Sequence, residues 1–177
     1  MKKIIFLIII ILIVYIFQFN SLYFISSLSS LINPFLIISV LLLLFYNLKF
    51  SLIWVLIGAF LLDLYSLNFF GLYLIAYSLT IYAVNFFFKR FFTNRSFYSF
   101  IILSMISTFS YFLFLSGFSQ FFRFFNLAAY AIRINGTYIL SIFFQILINA
   151  SITGLVYFFA LYVNDRLKAN FILKKQY

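Results

Sequence analysis

Neither cysteine nor histidine occurs in the 177 residues, and there are only two acids, Asp63 and Asp165. Without cysteine there is no disulfide, no thiolate nucleophile and no cysteine-ligated metal. Without histidine the usual proton shuttle and commonest metal ligand is missing. Charged residues make up 8% and hydrophobic residues 67%, whereas a soluble domain is about half apolar and about a quarter charged. This balance excludes an ordinary soluble globular protein and a disordered chain. The apolar runs are long and unbroken, which excludes the apolar–polar alternation of a polar-lumen β-barrel. What remains is an all-α integral membrane protein with little mass outside the bilayer.

The charge that is present is almost all positive, twelve Lys and Arg for a net +10. These bases are scattered between apolar runs rather than gathered on one face, so nucleic acid is not the expected partner. They read instead as topology signals in a lipid bilayer.

A spanning helix needs roughly 20 mostly apolar residues. Six candidates follow, over about 4–19, 34–47, 52–67, 72–88, 97–115 and 138–163. No small-x-small cleavage site follows the first, so it reads as a retained anchor rather than a signal-peptide core. Asn33-Pro34 opens the second span, with Asn as N-cap and Pro at the first helical position. Lys49 and Ser51 interrupt the apolar sequence before the third. Asn68 and Gly71 mark a tight turn before the fourth, and Asn94 or Ser96 caps the fifth. Segment 118–134 reads as a short helix lying in the outer interface with its arginines snorkelling, or as a re-entrant segment. The six spans leave fewer than about 60 residues for everything else, and no internal repeat is visible, so residues 1–177 form a single multi-pass domain. With the N-terminus inside, the inner segments hold ten of the bases and the outer segments only Arg123 and Arg133. The asymmetry predicts an N-in/C-in bundle.

No catalytic set assembles from these residues. Asp63 lies near the outer end of the third span and Asp165 beyond the inner end of the sixth, about 30 Å apart. Paired-carboxylate mechanisms need less than about 10 Å. A two-metal site fails on the same distance, and no Ser-His-Asp or Cys-His set is possible. No catalytic, cofactor-binding or metal-ligating residue is therefore expected. An ionisable group within a span is costly and raises a site hypothesis by default. Asp63 has two readings: a proton or ligand site, or a polar clasp. As a clasp it would accept hydrogen bonds from Ser66, from the backbone of the following turn or from the fourth helix. Two polar stripes also have two readings. Ser78, Tyr82 and Asn85 in the fourth span continue a face begun by Gly71 and Ile75. Ser141, Gln145, Asn149 and Thr153 in the sixth recur at every fourth position, beside Ala150-x-x-x-Gly154. Such stripes either glue helices together or line a polar cavity. Either way they predict that these faces turn into the bundle.

The segment from Asn33 to Tyr77 resembles the MreD family, the small membrane subunit of the bacterial rod-shape (elongation) system. Asn33-Pro34 opens the resemblance and a Leu-rich run leads to Tyr46. Gly58-Ala-Phe-Leu-Leu-Asp63-Leu-Tyr-Ser66-Leu-Asn-Phe-Phe-Gly71-Leu-Tyr-Leu-Ile-Ala-Tyr77 follows. It is similar to the family's G-x-x-x-D-x-x-S-x-x-x-x-G-x-x-x-x-x-Y pattern, with one residue more before the Asp. The basic pair Lys89-Arg90 and the basic tail also fit. The resemblance implies a non-enzymatic subunit of the bacterial inner membrane that acts with an MreC-like protein. Through it the chain would meet the glycosyltransferase and transpeptidase of lateral wall synthesis and the MreB filament. It marks Pro34, Gly58, Asp63, Ser66, Gly71 and Tyr77 as motif positions and implies no cofactor. It also implies a six-helix fold like that of the substrate-binding subunits of energy-coupling-factor vitamin transporters. Those subunits are the alternative reading. They usually carry Ala-x-x-x-Ala on their first helix, and residues 4–19 contain no Ala, Gly or Ser.

Overall fold

The computed structural model describes residues 32–66, 68–92, 96–127, 132 and 134–173, with 159–173 as helix backbone only. Among them are five helices: α1 (Pro34–Phe45), α2 (Leu48–Tyr65), α3 (Leu72–Phe91), α4 (Phe97–Phe124) and α5 (Gly136–Leu173). The described residues include no β-strand. Four helices are long and apolar enough to cross a bilayer: α2, α3, α4 and the Gly136–Phe158 part of α5. This is the architecture of a multi-pass membrane protein. The predicted span 4–19 lies outside the described residues.

Local sequence explains where the helices start. Asn33, Asn47 and Ser96 cap α1, α2 and α4, each accepting the backbone N–H of the residue three positions on. Asn135 Oδ1 does the same for Tyr138 at 2.9 Å as α5 begins. These side chains satisfy amides that a helix start leaves open.

Several boundaries differ from the sequence reading. The predicted helix 34–47 ends at Phe45, because Asn47 turns its side chain to the next helix. At 12 residues α1 is about 18 Å long, short of a 30 Å hydrocarbon core. Lys49 and Ser51 do not interrupt a helix; they lie in the first turns of α2, where Ser51 Oγ donates to the Ser39 carbonyl at 2.8 Å. The predicted span 97–115 runs on to Phe124, so Phe118–Phe124 continue α4 rather than forming a separate element. Gly117 alone does not break the helix, since one glycine costs only about 1 kcal/mol. Phe122 there packs on Phe69 with centroids 4.5 Å apart. The chain turns only at Phe125–Asn126, where Asn126 has φ +57°. Finally, α5 extends to Leu173, ten residues beyond the predicted 163.

Successive helices pack side by side, and α1 touches all four others. One cluster of the core, at the α2–α3 turn end of the bundle, gathers Phe35, Trp54, Ala59, Leu62, Leu72, Ala76, Tyr77, Tyr111 and Phe112. A second, towards the other end, gathers Val40, Leu43, Leu44, Val84, Phe100 and Leu103. α2 shows how lipid inverts the soluble pattern. Its buried face mixes Ser51, Gly58, Ala59 and Asp63 with Trp54, Val55 and Leu62, while Ile53, Leu56, Ile57, Phe60 and Leu64 face outward. Lipid tails are as apolar as Leu, so large apolar side chains gain nothing by turning inward. Small and polar residues, which allow close backbones and interhelical hydrogen bonds, do.

Candidate functional site

α3 begins with an N-cap that cannot cap. Gly71 has no side chain and sits at φ +96°, in the left-handed region open to glycine. Its carbonyl accepts the Ile75 N–H at 2.9 Å, and the Leu72 N–H reaches the Phe69 carbonyl at 3.1 Å. The amides of Tyr73 and Leu74 remain. Asp63, in the last turn of α2, takes both: Tyr73 N–H donates to Oδ1 and Leu74 N–H to Oδ2, each at 3.0 Å. Asp63 therefore caps α3 from another helix. It is 3% exposed, and its negative charge faces the positive end of the α3 dipole. Ser66 does not serve the carboxylate. Its hydroxyl donates to the Asp63 backbone carbonyl at 3.3 Å and so closes the end of α2.

A second joint forms at the start of α1. Pro34 occupies the first helical position, where its missing N–H costs nothing. The phenol oxygen of Tyr77 lies 2.9 Å from Asn33 Nδ2 and 3.1 Å from Oδ1. The Asn33 N–H donates to Asn149 Oδ1 on α5 at 3.0 Å. Asn149 Nδ2 donates to Thr108 Oγ1 on α4 at 3.3 Å, and Thr108 in turn to the Ser104 carbonyl at 3.0 Å. Thr153 Oγ1 lies 2.8 Å from Ser104 Oγ. A chain of polar contacts thus joins α1, α3, α4 and α5. Tyr77 is five residues into α3 and Asn149 thirteen residues into α5, depths of about 8 and 20 Å. α1 therefore starts inside the bundle, not at its rim. Just below, the Phe35 ring packs against Gly58 of α2; a Cβ there would collide with three atoms of the ring.

The remaining candidates divide. Gln145, Asn149, Thr153 and Gly154 are buried, and Ser141 is half-buried. Gly154 is not a close-approach position, since a Cβ would meet the Phe97 ring at an ordinary 3.5 Å. The stripe on the fourth predicted helix is a correction. Tyr82 is 52% exposed and Ser78 and Asn85 only half-buried. α3 instead turns Leu72, Ala76, Tyr77, Thr80, Ile81 and Val84 inward. Ala76 and Thr80 supply the small side chains that let α3 approach its neighbours. Sequence reasoning passed over Ser104, Ser107, Thr108 and Tyr111, all buried on one face of α4. Their spacing of three, one and three was a readable signal.

The site-marked residues thus act between helices. Among the described residues no three His, Cys, Asp or Glu come together. No protein-family model, curated protein or solved structure matches the chain.

Proposed function

We propose that this chain is a non-enzymatic, MreD-like subunit of the bacterial cell-elongation machinery. In this reading it sits in the inner membrane as a six-helix chain with both termini in the cytoplasm, and holds an MreC-like protein beside the wall-synthesis enzymes. One observation carries the reading. Of the residues of the resemblance, Asn33, Gly58, Asp63, Gly71 and Tyr77 build the joints among α1, α2 and α3, while Pro34 opens α1 and Ser66 closes α2. A motif that organises helices and carries no reacting group suits a scaffold whose product is an assembly. The vitamin-transporter reading, with its related six-helix fold, would need a ligand site instead.

The test is affinity purification of the tagged full chain from membranes of the source organism. An MreC-like protein should copurify in near-equal amount. Stoichiometric retention of a vitamin by the chain alone, with no such partner, would overturn the proposal in favour of transport. The topology has its own check. Lys49, Lys89 and Arg90 lie at one end of the bundle, Arg123 at the other. An impermeant thiol reagent applied to intact cells should label Arg123→Cys and leave Arg95→Cys unlabelled until the membrane is opened. The reverse pattern would invert the orientation.

A further inference from the structure

We propose that the end of the bundle formed by the start of α2 and the end of α3 binds the phosphates of anionic phospholipids. Lys49 lies sixteen residues before the end of α2, and Lys89 lies seventeen after the start of α3. Measured from the turn that joins the two helices, both sit about 25 Å down. Arg90 follows directly. The three cations therefore share one layer, and all three are exposed. α2 and α3 are packed neighbours. Asp63, the acid nearest in sequence, is at the opposite end of this helix pair, committed to the α3 amides.

The aromatic residues of that layer decide what the cations meet. Tyr46, Phe50, Phe91 and Tyr98 are 65%, 56%, 66% and 74% exposed. Tyr46 and Phe50 lie within a turn of the start of α2, Phe91 ends α3 and Tyr98 lies in the first turn of α4. Tyr46 and Phe50 form an edge contact, centroids 5.8 Å apart, and Phe87 and Phe91 stack at 5.8 Å. Exposed Phe rings also line the rest of the bundle, as at Phe60, Phe109 and Phe143, but Tyr, here Tyr46 and Tyr98, is the ring enriched where hydrocarbon gives way to headgroups. Their layer places the Lys and Arg heads at phosphate depth, with stems along the apolar surface. That depth favours a lipid phosphate over an acidic protein, which would approach from beyond the headgroups. The sequence reinforces the sign. Arg95 follows α3, and residues 165–177, after the apolar part of α5, carry four bases against one acid.

The test uses the full chain reconstituted in vesicles of phosphatidylcholine with a minor share of phosphatidylglycerol. Spin-labelled lipids report which species is held at the protein surface. Phosphatidylglycerol should be preferred at least about threefold over phosphatidylcholine at low salt. The preference should fall towards one in 1 M salt, where the screening length shrinks to about 3 Å. It should also fall towards one in the triple variant Lys49→Gln, Lys89→Gln, Arg90→Gln, while Arg123→Gln at the other end keeps it. These residues are exposed, so the variants should fold, and helical circular dichroism checks that they do. Equal retention of the two lipids, or a preference unchanged in the folded triple variant, would overturn the proposal. Loss of the preference in millimolar inorganic phosphate at constant ionic strength would also overturn it, assigning the layer to a free anion.

Discussion

Asp63→Leu is expected to lower the level of folded protein in the membrane at least about tenfold, a loss of about 1.4 kcal/mol or more. The carboxylate accepts the Tyr73 and Leu74 amides at 3.0 Å each. Leucine leaves both facing an apolar side chain, at about 1–3 kcal/mol per unsatisfied group. Placing a carboxylate within a span costs about 2.5–3.5 kcal/mol on insertion scales. Charge-assisted bonds contribute about 1.5–3 kcal/mol each, so two of them offset that cost. Leucine removes the cost but also the side chain that caps α3, because Gly71 has none. Asp63→Asn keeps one acceptor oxygen and turns an NH₂ group towards the other amide, so it should fall between. Membrane-fraction immunoblots and thermal aggregation in detergent read both variants. A leucine variant as abundant and heat-stable as the parent would refute the cross-helix cap. An asparagine variant that inserts normally yet is as damaging as leucine would show that the charge itself is needed, for an ion pair or a proton.

Gly58→Leu should separate α1 from α2 and cost about 1–3 kcal/mol or more in stability. The first atom of any side chain at this position lands on the Phe35 ring. Phe35 has nowhere to go. It is 2% exposed, its ring is tilted against Trp54 at 6.0 Å, and its backbone lies in the first turn of α1, fixed by the Asn33 cap. Shortening the obstructing ring should relieve the clash. In a double-mutant cycle Phe35→Ala should cost less in the Gly58→Leu background than alone, because the two residues compete for one volume. Strict additivity of the two melting shifts would mean that the positions do not touch. Gly58→Ala, with a single methyl, should show a smaller effect in the same direction.

Composition was enough to read the membrane class, because a chain 67% hydrophobic and 8% charged cannot cover itself with polar surface. Helix starts were legible at Asn33 and, as one of the two candidates Asn94 and Ser96, at the start of α4, whereas the cap Asn47 read as the end of a helix. The spacing from Asp63 to Gly71 allowed a carboxylate at the end of one helix to meet the free amides of the next. Helix ends were harder. Nothing in the run Leu115–Phe125 breaks a helix, and the limit at Phe124 is decided by packing and a turn at Asn126. Two residues of the joints carried only a local meaning in the sequence. Asn33 read as a cap, and its contacts with Tyr77 and Asn149 bridge 44 and 116 positions. Thr108 looked like one hydroxyl among many.

Local chemistry therefore determined which segments are helices, where most begin and which end of α2 needs a carboxylate. These depend on residues within a turn or two of one another. The stripe Gln145-Asn149-Thr153 marked the inward face of α5, but for α3 and α4 only the tertiary structure decided which face turns inward. For α3 the polar stripe Ser78-Tyr82-Asn85 was the wrong guide, and the face with Ala76, Tyr77 and Thr80 packs inside. In water the transfer of apolar area would have chosen the face, and a hydrophobic period would have announced it. In lipid that term nearly vanishes between helices. The choice passes to close contact and interhelical hydrogen bonds, and these depend on partners that no single segment contains.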